Sequence, residues 1–171
     1  MLIHITGASG SGTSTLAAAL AQKHAFAHIE ADDHYWLPTD RPFSSKRDPG
    51  ERASMLVSAL RAQANTVLAG SVVGWGAEIE DAFDLIVFLY LDADVRVERL
   101  RRRENVRFGC ADPKFLEWAG QYDAGPPEGR SLAKHRAWLN ARRCPVLELS
   151  GDLSVQVRLA CMLRHMNELQ Q

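Results

Sequence analysis

Lysine is scarce in this chain of 171 residues. Only 4 of its 20 basic residues are lysine, so its positive charge sits mostly on planar guanidinium groups suited to bidentate contact with phosphate or carboxylate. Net charge is nearly absent as well. A formal value of −1 at pH 7 supplies no overall attraction to a nucleic acid polymer or a membrane surface. Cysteine is sparse: Cys110, Cys144 and Cys161 form no CxxC pair and cannot all pair with one another. That excludes a disulfide scaffold and fits a reducing compartment. Long apolar runs are missing, the longest being Leu85 to Leu91, far short of the roughly 20 residues of a membrane span. Met1-Leu2-Ile3-His4-Ile5 carries no basic start or extended apolar stretch, so no signal peptide is expected and the chain is read as cytoplasmic. Internal repeats and low-complexity tracts are absent too, which rules out solenoids.

What remains has the composition of a soluble globular protein, 46% hydrophobic and 24% charged. The length suits a single domain over residues 1–171. Short apolar runs alternate with amphipathic stretches, the pattern of βα units around a parallel sheet. Strands are expected at Leu2–Ile5, Phe26–Glu30, Thr66–Ala69, Leu85–Leu91 and Val146–Leu149. The seven apolar residues of the fourth suit a strand covered on both faces. Helices are expected at Thr13–His24, from Pro49 to about Ala64, at about 93–108 and 130–142, and at the C-terminus. Asp48 is placed to cap the second, with Pro49 at its first position and Glu51 three residues past the cap. Residues 109–130 read as a lid-like loop. Five strands between helices predict a three-layer α/β/α domain.

Gly7-Ala8-Ser9-Gly10-Ser11-Gly12-Thr13-Ser14-Thr15 lies between the first strand and the first helix. Against G-x-x-x-x-G-K-[ST] it matches at Gly7, Gly12 and Ser14 and departs at Thr13, where the lysine belongs. Glycines let backbone amides turn around an anion at a helix start, and Ser14 offers a hydroxyl where Mg²⁺ is held. The departure removes a point charge from the β- and γ-phosphates. Loss of one such preorganised group costs about 3–4 kcal/mol of transition-state stabilisation. A dinucleotide-binding loop is excluded, because glycines at 7, 10 and 12 give G-x-x-G-x-G rather than G-x-G-x-x-G.

With this loop, five strands, an acidic exit from the second strand and an arginine-bearing helix after the fourth, the chain resembles the small P-loop kinases of the adenylate, shikimate and uridine kinase branches. The resemblance implies a P-loop NTPase fold, ATP and Mg²⁺ as cofactors, a small hydroxyl- or phosphate-bearing acceptor as partner, and a closing lid. Its motif-level specificity rests on residues 7–15. Asp32 and Asp33 follow the second strand, where such enzymes orient the acceptor hydroxyl, and Asp32 could hold Mg²⁺ through water. Tyr35, Trp36, Gly70 and Trp75 fall in loops expected to face the acceptor, as core cover or as contacts. Arg96, Arg99, Arg103 and Arg107 share about 80° of one helix face. They form either a phosphate clamp, led by Arg99 and Arg103, or a solvated face laced to Glu98 and Glu104. Lys46, Arg47, Arg130 and Arg103 are the candidate replacements for the missing lysine. Two functions are open: phosphoryl transfer from ATP to a nucleoside, nucleotide or similar metabolite, or nucleotide binding with little chemistry.

Overall fold

A computed structural model describes residues 1–40, 42–125 and 129–169. Five strands, β1 (Leu2–Gly7), β2 (Ala27–Glu30), β3 (Thr66–Ala69), β4 (Leu85–Tyr90) and β5 (Val146–Ser150), form one sheet in the order β2-β3-β1-β4-β5 with every pair parallel. Parallel pairing demands a crossover between neighbours, and helices supply each one. They are α1 (Thr13–His24), α2 (Ala31–Tyr35), α3 (Pro49–Arg61), α4 (Ala77–Glu80), α5 (Ala93–Phe108), α6 (Pro113–Gly120), α7 (Leu132–Asn140) and α8 (Val155–Glu168). This is the five-stranded three-layer arrangement the sequence predicts.

The two faces of the central strand separate the two halves of the core. Ile3 and Ile5 point towards α1 and α8, into a cluster with Leu16, Leu20, Leu159 and Met162. The opposite face carries His4 and Thr6, both fully buried, and lies over the cluster of Leu56, Phe88, Trp138 and Leu139. Period-2 alternation therefore puts a polar stripe inside the second layer. His4 Nδ1 lies 3.2 Å from the Leu68 carbonyl, and its ring stacks on Phe83 at 4.6 Å.

The start of α3 follows the expected chemistry. The Asp48 carboxylate accepts from Gly50 N at 2.8 Å and Glu51 N at 3.1 Å, and Pro49 opens α3. Three short helices, α2, α4 and α6, escape the sequence reading. None of them spans enough turns for an apolar period to show, although Asp112 and Pro113 cap α6 as Asp48 and Pro49 cap α3. Helix α6 occupies part of the stretch expected to be a loop lid. Residues 126–128 of that stretch lie outside the described residues.

Candidate active site

The glycine-rich loop closes the C-terminal end of β1 and hands over to α1 at Gly12, whose φ of +98° suits glycine. Its tight course is enforced on the other side by α5. A Cβ at Gly10 would come within 2.7 Å of the Arg96 carbonyl oxygen, and one at Gly7 within 2.5 Å of the Leu89 carbonyl oxygen. Ala8 and Ser11 are buried and Ser9 is half-buried, while Thr13 begins the helix. Ser14 and Thr15 are exposed on its first turn.

Beside this turn lies the end of β2. Ser14 Oγ donates to Glu30 Oε2 at 3.1 Å, and His28 Nε2 is 2.8 Å from Glu30 Oε1. Burial pushes the Glu30 carboxyl above its ordinary range; Asp32 adds to that rise, while the bond from Ser14 and the nearby His28 oppose it. The exposed side chains of Asp32 and Asp33 stand on α2 immediately beyond. A serine hydroxyl next to carboxylates that repel one another is a hard oxygen donor set of the kind Mg²⁺ takes. No cluster of three or more His, Cys, Asp or Glu side chains suited to a metal occurs among the described residues. A cation here would therefore also draw on the hydroxyl and on ligand oxygens.

Of the residues expected to face an acceptor, Trp75 is nearly buried rather than free in its loop. The Arg52 guanidinium lies 4.8 Å from the Tyr35 ring centroid and 4.7 Å from that of Trp75. Arg52 Nε is buried without a hydrogen-bond partner among the described residues. Tyr35 also meets Trp36 edge-on at 4.7 Å. Gly70, at φ +113°, lets the chain pass Ala31, whose Cβ would be 2.9 Å from a Cβ at 70. Lys46 bridges to Trp36 in antiparallel fashion and places Nζ 5.9 Å from the Tyr35 centroid. Arg47 is spent locally: Nε donates to the His34 carbonyl at 3.1 Å and Nη1 pairs with Glu51 at 2.9 Å. Arg52 was invisible to motif matching, since nothing in sequence distinguishes it from a surface arginine of α3.

The arginine face of α5 divides. Arg96 is fully buried and is neither a clamp nor a solvated side chain. Its guanidinium donates to the Leu91 carbonyl at 2.8 Å and the Ala119 carbonyl at 3.1 Å, and lies 3.5 Å from Asp123. It thereby ties α5 to the end of β4 and to α6. Arg103, itself exposed, pairs with its largely covered neighbour Glu104, and Arg107 covers Phe43 and Phe108. Arg99 does reach the loop. Its Nη1 lies 4.0 Å from where a Gly12 Cβ would stand, and its other end pairs with Asp152.

Arg130 lines a small cavity with Ala8, Ser9, Trp118, Ala119 and Tyr122, so this cation and the glycine-rich loop share one space. Behind the cavity runs a buried chain. Tyr122 Oη is 2.6 Å from His135 Nδ1, and Thr6 Oγ1 is 3.2 Å from His135 Nε2. Burial, with Arg130 nearby, lowers His135 to about 4, so its neutral ring offers one donor and one acceptor to the two hydroxyls.

A five-stranded parallel sheet between two helical layers, with a glycine-rich loop after β1, is the three-layer P-loop NTPase fold. Solved structures agree over 98% of this chain: deoxyadenosine kinase from M. mycoides with bound dATP (TM-score 0.64, 12% identity, 100% of that chain) and shikimate kinase from Acinetobacter baumannii in complex with shikimate (0.60, 13%, 93%). A gluconokinase from Sinorhizobium meliloti 1021 is similar as well (0.61, 18%, 91% of that chain). Residues 3–107 match the family model described as AAA domain, and the chain belongs to that family. It is also 41% identical to the uncharacterized protein YqaC of Bacillus subtilis (strain 168), over 96% of this chain and 97% of that protein. No helix among the described residues is long and apolar enough to cross a membrane.

Proposed function

We propose that the protein transfers the γ-phosphoryl group of ATP to a hydroxyl of a small polar acceptor. The observation that carries this reading is the contact between the two halves of the site: Ser14, on the first turn after the glycine-rich loop, is hydrogen-bonded to Glu30 at the acidic exit of β2. Gly7 to Thr15 would cradle the phosphates through backbone amides and the start of α1. Ser14, Glu30 and Asp32 would hold Mg²⁺, which when bound neutralises charge on the phosphate oxygens. Asp32 or Asp33 would orient the acceptor hydroxyl and take its proton as its oxygen attacks the γ-phosphorus. The bond from that phosphorus to the β–γ bridging oxygen breaks, and ADP leaves. Arg130, and Arg103 once brought inward, would neutralise the transferring group, with 109–130 acting as the lid.

Arg52 refines the acceptor. A guanidinium held between Tyr35 and Trp75, with Nε unpartnered, favours a carboxylate or phosphate on the molecule that receives the phosphoryl group. Tyr35, Trp36, Lys46, Gly70 and Trp75 would border it, and Arg47 would fix the loop that carries them.

The test is ATP consumption against a panel of nucleosides, nucleotides and sugar acids. Acceptor-stimulated ADP formation, abolished in Asp32→Asn or Asp33→Asn, supports transfer. The second reading, a nucleotide-binding protein with little chemistry, is favoured by Thr13 in the lysine position. Tight ATP binding with no acceptor-dependent turnover would establish it.

A further inference from the structure

Helix α8 contributes a cation that the loop motif does not contain. Arg158 falls on the inner face of α8 with Leu159, Met162 and Met166, and only 3% of it is exposed. Its Nη1 donates to the Ser11 carbonyl at 2.6 Å and its Nη2 to the Gly151 carbonyl at 2.9 Å, while Nε is buried without a hydrogen-bond partner among the described residues. Nη1 also lies 3.2 Å from the position of a Gly12 Cβ, with Arg99 Nη1 at 4.0 Å from the same point. Two guanidinium groups thus converge on the residue immediately before Thr13, and no side chain intervenes because that residue is glycine.

We propose that Arg158, assisted by Arg99, supplies the positive charge for nucleotide phosphates that a lysine at position 13 would otherwise supply.

Three observations carry it. A buried arginine is ordinarily matched by a carboxylate, yet Arg158 is held by two neutral carbonyls. Asp152, the acid nearest the pair, is engaged by Arg99, so two cations share one anion. Burial and the neighbouring Arg99 both disfavour the charged form of Arg158, with Asp152 only partly opposing them, and a bound polyphosphate would relieve that tension. The charge acts through the loop. Arg158 grips the Ser11 carbonyl, and the guanidinium stands behind the amides that face the anion. It is therefore a positioning residue, in keeping with a chain that has little lysine and spends arginine instead. The inference rests on the nucleotide-binding reading of the loop.

The experiment compares binding of ATP, pyrophosphate and adenosine by the full chain, wild type and variant, with calorimetry. Arg158→Met should weaken ATP and pyrophosphate by about tenfold or more, the scale of a charge-assisted contact, and leave adenosine nearly unchanged. Adding Thr13→Lys to Arg158→Met should restore most of the loss, and Thr13→Lys alone should gain less than it does in that background. Arg99→Gln, at a half-exposed position, keeps the test available if Arg158→Met does not fold; it should weaken ATP about threefold or more and reduce the salt dependence of binding. Equal loss of ATP and adenosine, absence of rescue by Thr13→Lys, or Arg158→Met and Arg99→Gln binding ATP as wild type does would overturn the inference alone. A wild-type chain that binds neither ATP nor pyrophosphate would overturn it together with the proposed function.

Discussion

Two histidines in the core make the fold sensitive to mild acid. His4 belongs to the polar stripe of β1 and His135 on α7 is bonded to Thr6 of that stripe, and burial lowers them to about 3 and about 4 from 6.5. Both stay neutral in the folded chain, whereas each takes up a proton near its ordinary value once unfolded. The unfolded state therefore binds more protons below about pH 6.5, and stability falls as pH drops from there towards 4 and 3. Between pH 7 and 5.5 each histidine removes about 1.2 kcal/mol, and the pair about 2.5 kcal/mol. That is a large part of a total of about 5–15 kcal/mol. Glu30 works in the other direction, since its raised carboxyl favours the folded state as pH falls, so the comparison stops at pH 5.5. The assay is urea unfolding at half-unit intervals of pH. His4→Gln and His135→Gln should each lower stability at pH 7 and also halve the slope against pH, and the slope isolates the proton. A wild-type curve flat from pH 7 to 5.5, or slopes unchanged in both variants, would refute buried neutral histidines as its cause.

Other perturbations have definite expectations. Gly10→Ala places a methyl 2.7 Å from the Arg96 carbonyl at φ +85°, so it should cost about 2–4 kcal/mol in urea unfolding and weaken ATP binding as the loop shifts. Arg96→Met leaves the Leu91 and Ala119 carbonyls without their donor and should destabilise by about 2–4 kcal/mol, more than Arg103→Met, whose guanidinium is exposed and which should change stability by less than about 1 kcal/mol. Asp48→Ala removes the α3 cap and should cost about 1 kcal/mol, while Asp48→Asn or Asp48→Ser keeps most of it.

Much of the architecture is legible in sequence because it follows from local chemistry. The apolar run of β4, the Asp48-Pro49 start of α3 and the glycine spacing after β1 each force one solution. What escapes is whatever tertiary contact decides. The wheel of α5 groups Arg96 with Arg99, Arg103 and Arg107 by angle, yet Arg96 meets the end of β4 and the lid-side helix while Arg103 stays in water. Nothing in the spacing distinguishes a guanidinium bound to carbonyls from one bound to solvent. Arg158 was marked in one respect, since it interrupts the apolar side of α8 at a position a hydrophobe would fill. His135 and Tyr122 lie 13 residues apart, and only the fold brings them under Thr6.

The placement of tryptophan gives the molecule its own optical probes. Trp36 stands at the end of α2, Trp75 lies against Arg52, Trp118 lines the cavity at Ala8 and Ser9, and Trp138 is buried with Nε1 donating to Glu80 at 2.6 Å. Each indole reports a different neighbourhood. With the other three changed to phenylalanine, emission from Trp118 would register a ligand arriving at the loop, emission from Trp36 or Trp75 an acceptor, and emission from Trp138 the integrity of the core. On the proposed function, the order in which ATP and the acceptor enter could then be read from fluorescence alone, before any product is measured.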